Sequence, residues 1–227
     1  MLAERRITDE IMDDPHLPVE IYDAVLADLA RVNRITMAHR PTLRFLEHAL
    51  GHSQSFTLLD VGYGHGDMLR AIADWAARRG IAARLTGIDL NPNSEAAARM
   101  ATDPALPITY LTGDYHDLAQ GFDVIVSSLV AHHMTHAQLH QFLRFMHSKA
   151  QRGWFVNDLH RHTVSYLGYP LLARVMGWHE IVRRDGQTSI ARSYRPAEWR
   201  SMLAEAGIAD ARIERYFPFR LCVSWCK

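Results

Sequence analysis

The feature that most constrains this chain is an apolar run that leads directly into three alternating glycines. Residues 58–67 read Leu-Leu-Asp-Val-Gly-Tyr-Gly-His-Gly-Asp, and apolar residues at helical spacing follow over residues 68–75. This order predicts a strand, a tight turn and the start of a helix. Because glycine has no Cβ and accepts positive φ, a ligand can approach the backbone at Gly62, Gly64 and Gly66. The free N–H groups at the helix start would face the same ligand.

Acidic residues close the next two predicted strands. Residues 85–90 read Leu-Thr-Gly-Ile-Asp-Leu, and residues 108–114 read Ile-Thr-Tyr-Leu-Thr-Gly-Asp. Parallel strands bring their carboxyl ends to one edge of a sheet, where ligands of such sheets bind. We therefore expect Asp89 and Asp114 to lie beside the glycine turn. Ser128, which follows a fourth strand-like segment, is expected at the same edge.

Strand and helix patterns alternate over most of the chain. Predicted strands occupy residues 57–61, 84–89, 107–112, 122–127 and 152–157, and predicted helices occupy residues 19–38, 42–50, 66–79, 93–101, 135–148 and 196–206. Strands separated by helices predict an α/β fold with a parallel sheet and right-handed crossovers. The largely apolar segment at about 159–195 interrupts this alternation after the fifth strand. We expect it to form a lid or a substrate wall over the same sheet edge.

Composition excludes several classes of protein. The 227 residues fit one α/β domain with modest extensions, and Lys+Arg and Asp+Glu balance at 25 each. A nucleic-acid partner is not expected, because no dense run of lysine or arginine is present. Two cysteines do not make a disulfide framework, and no apolar run is long enough to span a membrane. We expect a cytoplasmic protein, monomeric or homodimeric, without a signal peptide.

Taken together, these motifs resemble the class I S-adenosylmethionine (SAM) dependent methyltransferases. Their glycine-rich first motif is matched by residues 59–66, and the acids that end their second and third strands are matched by Asp89 and Asp114. The resemblance implies a Rossmann-like seven-stranded sheet of order 3-2-1-4-5-7-6 with strand 7 antiparallel, and SAM as cofactor. We divide the chain into an N-terminal arm with helices, residues 1–50, and a SAM-binding domain, residues 51–227.

The resemblance also implies how SAM is held. Asp89 would accept both ribose hydroxyls, Asp114 would accept the adenine amine, and Asp60 with the glycine turn would meet the methionine end. The predicted cofactor-contacting residues are Asp60, Gly62, Gly64, Gly66, Asp89, Leu90, Asp114, Tyr115 and Ser128. NAD is the main competing cofactor, because its sites also use glycines and an acid after the second strand. The NAD fingerprint G-x-G-x-x-G fails here, since Gly66 comes one residue early.

Histidines follow the fourth and fifth predicted strands. Residues 127–134 read Ser-Ser-Leu-Val-Ala-His-His-Met, which resembles ubiquinone and menaquinone methyltransferases and bacterial small-molecule O-methyltransferases. A histidine of ordinary pKa suits proton removal from a phenol or alcohol near neutral pH. We predict His133 as the general base, with His160 in reserve and His132 as a third candidate. Asp158 could orient one of these imidazoles, although histidines that only line a pocket would give the same pattern.

A metal site is not expected. The candidate ligands would be His132, His133, His136 and His140. Of these, His136 and His140 are four residues apart on a predicted helix and could share a ligand face. No cysteine lies nearby, however, and the sequence contains no H-E-x-x-H pattern. The metal-dependent catechol methyltransferases use carboxylates at strand ends, whereas Ser127 and Ser128 stand at the end of the fourth strand here.

The apolar insertion and the neutral charge favour a small, partly apolar acceptor. We expect O-methylation of a hydroxylated molecule such as a phenolic polyketide or a related secondary metabolite. C-methylation of a quinone precursor is the nearest alternative. A non-catalytic protein that uses the SAM fold only to bind a partner remains a third possibility.

Overall fold

The computed structural model describes residues 2–14 and 16–227. Its helices are α1 (Val19–Ile35), α2 (His39–Leu50), α3 (Asp67–Arg78), α4 (Pro92–Met100), α5 (His136–Lys149), α6 (Thr163–Val175), α7 (Glu180–Arg192) and α8 (Pro196–Glu205). Its strands are β1 (Ser55–Val61), β2 (Ala82–Asp89), β3 (Ile108–Thr112), β4 (Phe122–Ser128), β5 (Ala150–Leu159), β6 (Arg212–Tyr216) and β7 (Arg220–Cys226).

In the described residues the strands form one seven-stranded sheet of order β3-β2-β1-β4-β5-β7-β6. Neighbouring strands from β3 to β5 pair in parallel, whereas β7 runs antiparallel to both β5 and β6. The predicted fold and strand order are therefore confirmed. Asp60 pairs with Gly87 of β2 and with Val126 of β4, which places it in the centre of the sheet near the edge where β1 ends.

The central strands are buried on both faces, as parallel sheets require when helices cover them. Leu59 and Ile125 point toward the layer that contains α5 and α8. Leu58 and Val124 point toward the layer that contains α2 and α3. All four side chains are fully buried, and burial of each stabilises the fold by about 1.5–3 kcal/mol. These two buried layers hold β1 in the centre of the sheet, and they thereby hold the glycine turn that follows β1 at the sheet edge.

The two N-terminal helices meet three residues earlier than the sequence predicts. α1 ends at Ile35, and a turn with Met37 at φ 53° leads into α2, which begins at His39. The predicted break fell at Pro41, but this proline occupies the first turn of α2. Proline is tolerated there because the first N–H groups of a helix have no partner within it.

The insertion after β5, for which the sequence predicts a lid or a substrate wall, consists of two packed helices. The Tyr169 hydroxyl of α6 donates to the Val182 carbonyl of α7 at 2.9 Å. The N-terminal arm, residues 2–14, docks on α7, whose Asp185 accepts the N–H groups of Ile11 and Met12, each at 2.9 Å. Arm, insertion and α1 together cover the carboxyl edge of the sheet.

None of the helices in the described ranges combines the length and the apolar character needed to cross a lipid bilayer.

Candidate active site

A cavity of about 930 Å³ opens where β1, β2 and β4 end. Its floor is the glycine turn, and its walls come from α1, the N-terminal arm, α6 and α7. Small-molecule sites typically enclose roughly 300–1,000 Å³ and are mostly apolar with a few polar groups. This cavity has that composition, because apolar side chains line it together with a smaller number of carboxylates and histidines.

The glycine turn leaves its backbone open to the cavity. Gly62 adopts a φ of 76°, and a Cβ there would overlap the side chain of Val130. Gly64 adopts a φ of 51° and donates its N–H to Asp89 Oδ2 at 2.9 Å. Both positions line the cavity, so the backbone itself forms part of the binding surface.

Asp89 ends β2 and points its carboxylate toward the turn. Its second oxygen, Oδ1, accepts the N–H of Asn91 at 2.9 Å. Burial raises the pKa of Asp89, while the hydrogen bonds from the backbone of Asn91 and Gly64 oppose that shift. A carboxylate offers about four lone-pair sites, so Asp89 keeps acceptor capacity for a ligand.

Asp60 presents an unsatisfied oxygen at the cavity floor. The side chain is 1% exposed, and its Oδ1 has no hydrogen-bond partner among the described residues. Burial raises the pKa of Asp60 well above its usual range, and the nearby carboxylates of Asp67 and Asp89 raise it further. A buried polar atom without a partner at a cavity is a position that a ligand donor can satisfy.

The cavity brings most of the predicted cofactor-contacting residues together. Seven of them line it: Asp60, Gly62, Gly64, Asp89, Leu90, Tyr115 and Ser128. The side chain of Asp114 does not line the wall, because its Oδ1 accepts the backbone N–H and Nδ1 of His116, at 2.9 and 3.0 Å. Gly113 supplies the wall beside it. Gly66 lies beneath the turn, where a Cβ would overlap Tyr110.

His132 is buried in a cluster of acidic groups. Its Nδ1 lies 2.7 Å from Asp158 Oδ1, and its backbone N–H donates to Asp158 Oδ2 at 2.8 Å. Its Nε2 lies 3.5 Å from Glu10 Oε1. Burial alone would lower the pKa of His132, but the carboxylates of Asp158 and Glu10 outweigh it and raise the pKa to about 9. Asp158 therefore orients His132 rather than His133 or His160.

His133 stands on the cavity wall with 29% of its side chain exposed. Its Nδ1 lies 3.1 Å from Asp13 Oδ2, and its Nε2 lies 3.8 Å from Glu10 Oε2. The second distance is too long for a hydrogen bond, so Nε2 remains free for another partner.

His160 is separated from the cavity. It is 8% exposed and does not line the wall, although the preceding Leu159 does. Burial lowers the pKa of His160 to about 4, and the positive charge of Arg215 lowers it in the same direction. The imidazole is therefore neutral over the pH range in which most enzymes work.

Comparison with protein families identifies the domain. Residues 58–153, which contain the glycine turn, Asp89 and the paired histidines, match the family model of a methyltransferase domain. Residues 58–153 belong to a methyltransferase domain, and the sheet around them has the class I SAM-dependent methyltransferase fold. No curated protein sequence matches the chain.

Solved structures share the fold of this methyltransferase at low sequence identity. The plantazolicin methyltransferase BpumL with bound S-adenosylhomocysteine (SAH) is 15% identical over 95% of this chain and 98% of its own, with a TM-score of 0.64. The magnesium protoporphyrin IX methyltransferase of Synechocystis PCC 6803 with SAH is 16% identical over 90% and 85%, with a TM-score of 0.57. Human N-acetylserotonin methyltransferase with SAM is 14% identical over 89% of this chain and 54% of its own, with a TM-score of 0.62.

The residues of the cavity fit SAM, which human N-acetylserotonin methyltransferase binds. The unsatisfied oxygen of Asp60 suits an ammonium group, and the spare acceptor sites of Asp89 suit vicinal hydroxyls. A Cβ at Gly64 would meet only the Leu26 side chain, at 3.8 Å, so the space beside this glycine is open to a ligand.

Sequence reasoning missed several polar residues of the methyltransferase cavity. Asp67, the first residue of α3, lines the cavity. It accepts a hydrogen bond from Asn33 Nδ2 at 3.1 Å and bonds His39 Nε2 at 2.7 Å. Its place directly after the glycine turn was a signal that could have found it. Glu10 and Asp13 of the arm also line the cavity, but the sequence around them resembles any charged terminal segment.

Proposed function

We propose that this methyltransferase transfers a methyl group to an oxygen of a small, partly apolar, hydroxylated acceptor, such as a phenolic polyketide or a related secondary metabolite. The observation that carries the proposal is His133, whose free Nε2 lies on the wall of the cavity that holds the glycine turn. An imidazole at that position can take the proton that a phenol or alcohol loses on methylation.

The far wall of the cavity supports an acceptor with an apolar part. α6 contributes Val164, Tyr169 and Leu172, and α7 contributes Ile190. These side chains offer apolar area that a ring or a short chain can cover. The structural neighbours are named for N-acetylserotonin, magnesium protoporphyrin IX and plantazolicin, which fits an acceptor of small-molecule size.

The proposed chemistry divides between the two sides of the cavity. SAM, when bound, supplies a methyl group already activated by the sulfonium, so alignment of the acceptor provides much of the rate. Asp60, the glycine turn and Asp89 hold the cofactor. His133 Nε2 accepts the acceptor proton as the acceptor oxygen gains the methyl group. Asp13, 3.1 Å from Nδ1, stabilises the imidazolium that results.

The surroundings of the three candidate histidines favour His133. His132 is buried, with both ring nitrogens facing carboxylates, and its pKa of about 9 keeps it protonated at neutral pH. His160 has a pKa of about 4 and no access to the cavity, which makes it a poor base. We therefore retain His160 only as the reserve candidate.

Substitution of the two histidines tests the base. His133→Ala should lower kcat at saturating SAM by about 10²–10⁴-fold, the usual contribution of a general base, while SAH affinity stays unchanged. His160→Ala serves as the matched control and should lower kcat less than tenfold. A loss below tenfold in His133→Ala would remove it as the base, and a loss below tenfold in both variants would leave alignment and desolvation to explain the rate.

Two alternatives remain distinguishable by product analysis. C-methylation of a quinone precursor would place the new methyl group on carbon rather than oxygen. A protein that only binds SAM would release no SAH when it is incubated with a panel of phenols. Turnover followed by SAH release, with the position of the methyl group determined on the product, separates the three possibilities.

A further inference from the structure

We propose that Glu10, His132 and His133 form a binding site for one divalent transition-metal ion. The carboxylate comes from the N-terminal arm, and both imidazoles come from the short helix Ala131–His133 that follows β4. The sequence predicted no metal, because neither a cysteine nor an H-E-x-x-H pattern accompanies these histidines and β4 ends in serines rather than carboxylates.

The three side chains converge on one point. His132 Nε2 lies 3.5 Å from Glu10 Oε1, and His133 Nε2 lies 3.8 Å from Glu10 Oε2. One ligand atom from each residue lies within 4.8 Å of those of the other two. Ligands at about 2.1 Å from a common ion are separated by somewhat more than 3 Å, so a small movement of the side chains would complete the site.

The outer partners of the imidazoles are those of a metal site. His132 Nδ1 lies 2.7 Å from Asp158 Oδ1, and His133 Nδ1 lies 3.1 Å from Asp13 Oδ2. Metal-binding histidines almost always donate their second ring nitrogen to a carboxylate, a carbonyl or water, which fixes the ring and directs the other nitrogen to the ion. Both histidines have this arrangement, and both leave Nε2 for the ion.

The charges around the imidazoles also favour a cation. The carboxylates of Glu10, Asp13 and Asp158 surround the two rings. Arg192 supplies one positive charge, with Nη1 at 3.8 Å from Glu10 and 3.3 Å from Asp13. Arg5 supplies a second, since its Nη2 donates to the His132 carbonyl at 2.6 Å. Metal binding displaces the ring proton of His132, and with both imidazoles neutral the group keeps an excess of one negative charge, which favours a cation.

The ligand set indicates the class of ion. Two imidazoles and one carboxylate suit first-row transition ions such as Zn²⁺, Fe²⁺ and Co²⁺, whereas Mg²⁺ and Ca²⁺ prefer oxygen ligands alone. Three protein ligands leave coordination positions open toward the cavity, where an acceptor oxygen can bind. The ion would use the same nitrogen of His133 that the proposed general base needs. We therefore expect added Zn²⁺ to lower methyl transfer, and in that respect the inference rests on the proposed function.

Calorimetric titration of Zn²⁺ into the full chain, stripped beforehand with a chelator, tests the site without any turnover. We expect one ion per chain, at least tenfold weaker binding in Glu10→Gln and His133→Asn, and about 10–100-fold weaker binding in Asp13→Asn. His136→Asn is the matched control, because it removes an exposed histidine of α5 that contacts Glu205 instead. Co²⁺ should develop visible absorption bands in the wild-type chain that Glu10→Gln and His133→Asn lose.

Equal Zn²⁺ affinity in wild type, Glu10→Gln and His133→Asn would overturn the inference, since the ion would then sit on other histidines. A wild-type titration without a one-to-one component would overturn it as well. His133 is partly exposed, so His133→Asn provides a second test if Glu10→Gln fails to fold. These titrations measure metal binding alone, whereas the general base is tested by kcat. Failure of the metal site is therefore distinguished from failure of the proposed function.

Discussion

At the scale of single residues, Asp89 combines burial with unused acceptor sites. Replacing it with asparagine removes the charge and one acceptor but keeps the shape. We expect Asp89→Asn to weaken SAH binding by about 1.5–3 kcal/mol, as loss of charge-assisted hydrogen bonds to hydroxyls does. Calorimetry with SAH measures this change, and Asp74→Asn, on the exposed face of α3, is the control. Equal affinity in both variants would take Asp89 out of the cofactor site.

His160 gives a residue-scale prediction for pH. Its pKa in the folded protein is about 4, below its ordinary value near 6.5, because burial and the charge of Arg215 disfavour the protonated form. The unfolded chain therefore binds this proton first, and the free energy of unfolding falls as the pH drops from about 6.5 toward 4.

We expect His160→Asn to show a smaller loss of stability over this pH range than the wild type. Urea unfolding at several pH values measures the free energy of unfolding of both proteins. The carboxylates titrate alike in both, so their contribution cancels in the difference between the two curves. His52→Asn, at an exposed position, should follow the wild type. Parallel curves for all three proteins would show that the pKa of His160 is not lowered by folding.

At the scale of elements, the contact between α6 and α7 depends on a glycine. A Cβ at Gly186 of α7 would overlap the ring of Tyr169 of α6, whereas a Cβ at Gly168 of α6 meets nothing within 4 Å. Gly186→Ala should destabilise the fold by about 1–3 kcal/mol through overpacking. Gly168→Ala should stabilise it by up to about 1 kcal/mol through helix propensity. Thermal unfolding of the two variants checks the contrast, and similar Tm shifts would contradict this packing.

The same helices show why some elements were predictable and others not. The alternating strands and helices from β1 to β5 lie within a few residues of their predicted positions. The spacing of apolar residues and the glycines that end each element are local signals, which a sequence shows directly. α6 and α7 were not predicted as helices, since the segment was expected only as a lid or a substrate wall. Gly168, Pro170 and Gly186 weaken its local helical propensity. Tertiary packing overrides these weak propensities, for example through the Tyr169 hydroxyl bonded to Val182.

At the scale of the whole molecule, alternation along the chain predicted a parallel sheet but not its strand order. The order came from family resemblance, and the structure agrees with it. The acidic group around the paired histidines was not predictable in this way. His133 and Asp13 are 120 residues apart, and no local pattern marks residues that meet across such a separation.

The docking of the arm has a consequence for how the protein is made. Glu10 bonds Ser189, 179 residues later, and Arg6 bonds Ala191. At about 5–20 residues per second, the ribosome needs roughly 10–40 s to translate from Glu10 to Ser189. During this time the arm has no surface to dock on. The arm is thus translated well before α7 but settles only after it. The cavity that the arm closes is completed only once α7 has left the ribosome.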